Sequence, residues 1–253
     1  MARYRLGSVL VALGVGASAV ALAATATPAN IAAALADKGR PQAEAARDAA
    51  RKPGELLAWS GALKPGAKVA DLIMGGGYFT RILSVAVGPQ GHVWAYQPAE
   101  FIAFRSTYAD SQNAVAAAYK NVTPLNMGIA GLDLPDGLDL VLTVQNYHDM
   151  HLARMPADGA AKVDAEVFKS LKPGGIFLVV DHVADAGSGL EAPNKLHRID
   201  PAIVRQEAEA AGFKFAGESQ LLRNPADPHT ASVFDPAIRG KTDQFVLKFR
   251  KPG

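Results

Sequence analysis

The sequence predicts an α/β fold, a mainly parallel sheet with helices on both faces, and two observations predict it. Apolar runs of strand length, at 69–74, 92–96, 138–144 and 176–180, alternate with stretches of helical periodicity through most of the chain. The first run passes directly into Gly75-Gly76-Gly77 and then into Phe79, Ile82, Leu83, Ala86 and Val87 at helical spacing. A strand, a glycine turn and a free helix N-terminus form the unit in which α/β proteins bind nucleotides or nucleosides. A chain of 253 residues, 49% hydrophobic, can bury one full core with an appendage.

The appendage comes first. Arg3 and Arg5 precede an apolar, small-residue stretch, and A-x-A sites fall at 21–23 and 24–26. This three-part pattern marks residues 1–23 as a secretory signal peptide. An uncleaved anchor is the alternative, because 6–24 nearly reaches spanning length. Cleavage implies an exported, periplasmic mature protein with no stable membrane span. Without Arg3 and Arg5 the chain carries 24 basic and 24 acidic residues. No basic cluster with interleaved aromatics calls for nucleic acid. The absence of cysteine rules out disulfides, thiolate zinc sites and a cysteine nucleophile.

Residues 24–63 read as a helical lead-in, with a short helix at 31–37 and an alanine-rich one at 41–51 that Pro53 stops. The α/β domain is expected over 64–253. After the first helix, the turn at 88–91 delivers the second strand, 92–96. Pro98 breaks it, and 99–119 reads as one long helix. A third strand is expected at 121–126, a loop at 128–137, the fourth strand at 138–144 and a helix at 160–171. Lys172-Pro-Gly-Gly175 turns into the fifth strand, 176–180. A helix at 201–211 ends at Gly212, and the last strands lie at 213–222 and 244–249.

The glycine turn can be tested against nucleotide motifs. Thr80 stands where G-x-G-x-x-G needs its third glycine, and no lysine is placed for a P-loop. Asp71, Leu72, Gly75, Gly77, Tyr78, Phe79 and Thr80 instead resemble motif I of the class I S-adenosylmethionine (SAM)-dependent methyltransferases. The Leu171-Lys-Pro-Gly-Gly175 segment resembles a second signature of that class. The whole chain resembles the exported predicted methyltransferases of proteobacteria. The resemblance implies a Rossmann-like seven-stranded sheet, with the last strand antiparallel and inserted between the fifth and sixth. It implies SAM as cofactor on Asp71, Gly75, Gly76, Gly77, Tyr78, Gln97 and Asn146, with helices before the first strand covering it. Two positions depart from the pattern. Ile73 replaces the first glycine, where its side chain would crowd the methionine part of the cofactor. Gln97 replaces the acid that holds the ribose hydroxyls, and Glu100 is a candidate substitute.

In open α/β sheets, ligands sit beyond the carboxyl ends of the strands. There the sequence places Asn146-Tyr-His-Asp149 and Asp181-His182 on adjacent strands. His148 and His182, oriented by Asp149 or Asp181, form the expected catalytic set, since histidine suits a general base near neutral pH. A metal site is the competing chemistry, with His148, Asp149, His151, Asp181, His182 and His197 as possible ligands. No complete zinc signature is present, so no metal is expected. The long polar loop before the last strand carries His229, Asp235, Arg239, Thr242 and Asp243 as pocket candidates. The expected function is methyl transfer from SAM to a small-molecule acceptor. The alternatives are a small-ligand-binding protein on the same fold and a metal-assisted enzyme using the His/Asp cluster.

Overall fold

A computed structural model describes Thr27–Gly253; the expected signal peptide lies outside the described residues. The strands are β1 (Lys68–Leu72), β2 (His92–Tyr96), β3 (Val122–Leu125), β4 (Leu138–Val144), β5 (Leu171–His182), β6 (Lys214–Ser219) and β7 (Gln244–Arg250). They form one seven-stranded sheet in the order β3-β2-β1-β4-β5-β7-β6. All neighbours are parallel except β7, which runs antiparallel between β5 and β6. This is the topology the resemblance implies. The order reverses between β1 and β4, so a crevice opens beyond their carboxyl ends.

The helices are α1 (Ala29–Leu35), α2 (Gln42–Ala45), α3 (Asp48–Arg51), α4 (Pro53–Ser60), α5 (Tyr78–Val87), α6 (Ala99–Phe104), α7 (Thr107–Ala118), α8 (Gly159–Ser170), α9 (Glu191–Leu196) and α10 (Pro201–Ala210). Successive strand residues point to opposite faces, so inner strands that are apolar throughout feed two cores. Ala70, Leu72 and Val141 join the core under α8 and α10, while Val69, Leu140 and Leu142 join the core under α1, α4 and α5. Among the described residues no helix is long and apolar enough to cross a membrane.

Three expectations change. The single helix at 99–119 is two, α6 and α7, because Arg105 is extended, with φ of −148°. Ser106 and Thr107, weak in helix interiors, mark the break. The lead-in helix at 41–51 is likewise two single turns, α2 and α3, and neither buries a residue. Turns this short do not hold themselves in water; the Arg81–Glu44 ion pair and the Tyr78–Asp48 hydrogen bond tie them to the domain. The fifth strand begins early: Leu171 pairs with Leu138, and Lys172-Pro-Gly-Gly175 is an irregularity within the strand rather than a turn before it.

Candidate active site

Two cavities meet at the carboxyl edge of the sheet. The smaller, about 190 Å³, lies over the glycine turn. The larger, about 610 Å³, lies over the ends of β4 and β5. Gln145 and Asn146, which follow β4, line both.

The small chamber is built by the turn after β1. Gly75 and Gly77 have φ of 56° and 87°, the left-handed region that glycine enters without penalty. A Cβ at Gly75 or Gly76 would meet open space, so these two leave the backbone approachable. Gly77 has a different role, since a Cβ there would stand 2.6 Å from Val115. Ile73 also has a positive φ, 58°. The first-glycine position of the motif therefore keeps a left-handed backbone while carrying a β-branched side chain, a strained combination. Ile73 is buried and lines this chamber. Asp71 is fully buried at the end of β1 and accepts a 2.6 Å hydrogen bond from the Thr80 hydroxyl. Burial pushes its carboxyl up to about 7.

The lead-in is fastened over this turn by charge. Arg81 pairs with Glu44 at 2.7 Å and the Tyr78 hydroxyl donates to Asp48, which is itself held within the lead-in by Arg40 at 2.6 Å. The Arg51 guanidinium stands 4.5 Å from the Tyr78 ring centre and donates to the Gln145 side chain at 3.1 Å. Burial lowers its pKa to about 10, and its Nε is buried without a partner.

Gln97 has a task other than the expected ribose contact. It is fully buried, lines neither chamber, and its Oε1 accepts from the Gly75 N–H at 2.9 Å. Its Nε2 has no partner. Glu100 does not take its place, because its carboxylate caps the Ile129 N–H. Asn146 donates to the carbonyls of Ile73 and Val144, tying the β1 turn to the end of β4.

The large chamber brings together His148, Asp149, His182 and His197, with Asp181 beneath them. His148 Nδ1 lies 2.8 Å from Asp181 Oδ1, and the His148 N–H donates to Asp181 Oδ2. A carboxylate only accepts, so Nδ1 carries the proton and Nε2 presents its lone pair to the chamber. Burial opposes charge on His148, but the Asp181 charge and hydrogen bond outweigh it and Asp149 adds, so its pKa is raised. Burial alone would lift Asp181, yet the His148 charge and hydrogen bond hold it below the usual carboxylate range. Burial lowers His182 to about 4, which keeps it neutral; its Nδ1 lies 2.7 Å from the Thr242 hydroxyl.

The pairing His148-x-x-His151 is not made. His151 turns away to Glu207 at 3.0 Å, under a floor where the Tyr147 hydroxyl bonds Asp164 and Glu207. His197 takes the place beside His148. Of the loop candidates, Arg239 lines the large chamber, while Thr242 holds His182 from below. Asp243 pairs with Arg223 and His229, and Asp235 caps its own turn. Sequence reasoning missed Phe101, Phe104, Arg105, Tyr108 and Arg154, which line the large chamber; the weak helix residues Ser106 and Thr107 were their only signal. It also missed Gln145, whose φ of 64° no residue type announces.

No family model matches this chain, and no curated protein matches it. Solved structures do. A putative sarcosine dimethylglycine methyltransferase from Galdieria sulphuraria aligns at 20% identity and TM-score 0.57, over 83% of this chain and 88% of that one. A SAM-dependent methyltransferase from Aquifex aeolicus aligns at 20% identity and TM-score 0.54, over 78% and 88%. The fold is that of the class I methyltransferases. The cyclase SpnF also shares it, at 19% identity and TM-score 0.55 over 85% and 84%. The fold therefore leaves the reaction to be argued from the site.

Proposed function

We propose that the protein is a SAM-dependent methyltransferase acting on an anionic small molecule. The observation that carries this reading is the pair of chambers meeting at Gln145 and Asn146, one over the glycine turn and one around His148. A transfer reaction needs donor and acceptor sites that touch.

The residues at the turn fit one end of SAM. Open space stands above Gly75 and Gly76, the N-terminus of the ten-residue α5 points there, and the orphaned Nε of Arg51 awaits an acceptor. A carboxylate suits both Arg51 and the helix end. At about 190 Å³ the small chamber takes only part of a ligand. The adenosine part would extend past Asn146 towards Phe101, Phe104 and Tyr108. When bound, SAM supplies a methyl group on a sulfonium that needs no acid assistance to leave.

The chain's own task is to hold the acceptor and free its lone pair. Arg105, Arg154 and Arg239 line the large chamber and form no ion pair among the described residues, which favours an acceptor carrying carboxylate or phosphate. His148, oriented by Asp181, faces an acceptor hydroxyl or amine as its proton acceptor. Residues 1–23 support export of the mature chain, tested by reading the N-terminus of the secreted protein.

Calorimetric titration with SAM and S-adenosylhomocysteine tests the reading. Binding in the micromolar range is expected, and Gly75→Arg abolishes it by filling the small chamber. A folded protein that binds neither compound up to millimolar concentration overturns it. A second reading, ligand binding without methyl transfer, is favoured by Gln97 and Glu100, both engaged with backbone N–H groups where the ribose contact is expected.

A further inference from the structure

His148 Nε2, Asp149 Oδ1 and His197 Nδ1 converge in the large chamber. The three atoms are 3.3 Å, 3.5 Å and 3.7 Å apart as His148–His197, His148–Asp149 and His197–Asp149. Bonds of about 2.1 Å to one tetrahedral cation would space its ligand atoms by about 3.4 Å. The triangle has the size of one face of such a site.

With both imidazoles neutral, hydrogen bonds alone do not serve all three groups. A proton on His197 Nδ1 would serve His148 Nε2 and leave the Asp149 carboxylate without a donor. That side chain is 12% exposed, and among the described residues no group donates a hydrogen bond to it. Its oxygens open onto the large chamber, where one cation would satisfy all three groups at once.

The surroundings match a metal site. Asp181 fixes the His148 tautomer from behind, the carboxylate–histidine support that orients metal-bound imidazoles. His148 and Asp149 sit on one tight turn, and His197 is held in a left-handed conformation, φ 53°, between α9 and the fully buried Arg198. Two histidines and one carboxylate with an open side suit a first-row transition metal. All three side chains line the large chamber, which Arg105, Arg154 and Arg239 also line.

We propose that His148, Asp149 and His197 bind one divalent first-row transition metal, whose open positions take an oxygen of an anionic substrate. The inference goes beyond methyl transfer and revises one part of it. With a cation on Nε2, His148 is a ligand, and acidifying a substrate hydroxyl falls to the metal.

The test uses chelator-stripped full-length mature protein titrated with Zn²⁺, and with Co²⁺ for its visible spectrum. One cation per chain is expected, with a Co²⁺ spectrum of nitrogen–oxygen coordination. His197→Gly keeps the left-handed backbone and loses the imidazole; with Asp149→Asn it should weaken binding roughly 100-fold or more. Asp181→Asn should weaken it by about 10- to 100-fold with the coordination spectrum retained. Circular dichroism checks that each variant is folded. No Zn²⁺ binding at hundreds of micromolar, or binding unchanged in both ligand variants, overturns the proposal. Metal binding without SAM binding would overturn methyl transfer and leave this inference standing; SAM binding without metal would do the reverse.

Discussion

The two chambers are made of similar residues in opposite conditions. Over the glycine turn the polar groups engage one another: Gln97 holds Gly75, Arg81 holds Glu44 and the Gly76 carbonyl, and Tyr78 holds Asp48. Around His148 they are left open: Asp149 has no hydrogen-bond donor and three arginines lack ion-pair partners among the described residues. The chamber with the recognisable motif is the smaller and more self-satisfied one. The smaller one keeps the unpartnered Arg51 Nε, while the chamber without a motif holds unpaired lone pairs and charges and is where chemistry has room to occur.

The largest effect should come from breaking the buried support next to His197, behind the open chamber. Arg198 and Asp227 form an ion pair at 2.8 Å with both side chains fully buried. Arg198→Ala leaves Asp227 without its partner charge and should lower unfolding stability by about 3–5 kcal/mol in urea titration. Zn²⁺ affinity should fall with it, since His197 is the adjacent residue, while SAM affinity holds. Ile73→Gly acts on the other side. It removes a buried side chain and relieves a strained φ, for a net loss of about 2 kcal/mol. It also enlarges the small chamber, so calorimetry should show tighter SAM binding.

Next comes the floor under the histidines. Burial raises Asp164 to about 8, with the nearby Glu207 charge adding to it. The folded state thus keeps a proton that the unfolded chain releases near its ordinary value, so stability falls as pH rises between the two values. Asp164's share of that slope should be about 1.4 kcal/mol per pH unit, beside a like share from Asp71 below about pH 7. Asp164→Asn should flatten that part of the profile, as read by denaturant midpoints on either side of neutrality. The smallest effect is expected at Gln97. Gln97→Leu leaves the Gly75 N–H unpaired but also removes an orphaned amide, for a net loss of about 1 kcal/mol. If SAM affinity collapses as well, Gln97 contacts the ligand and the contrast between the chambers narrows.

The sheet was legible because its signals are local. Apolar runs, glycines and spacing are written in consecutive residues, and the strand order followed from the resemblance they carry. The convergence of His148 with Asp181 was also legible, since adjacent strands end side by side. His197 was legible only as a possible ligand. It reaches the site from the turn after α9 by a left-handed backbone that the sequence does not mark. The aromatic wall depends on the extended Arg105 between α6 and α7, which hides behind good helix periodicity. Gln97 was legible as a departure but not as a brace, because its role depends on which backbone N–H lies opposite.

The lead-in over the glycine turn has one more consequence. α2 and α3 bury no apolar residue and are attached by the Arg81–Glu44 ion pair, the Tyr78–Asp48 hydrogen bond and guanidinium groups around Tyr78. Its attachment should therefore loosen as ions screen those charges. For most arginine-lined sites, added salt slows the arrival of an anion. Here the covering segment stands in the path, so stopped-flow association into the small chamber should quicken with ionic strength before it slows.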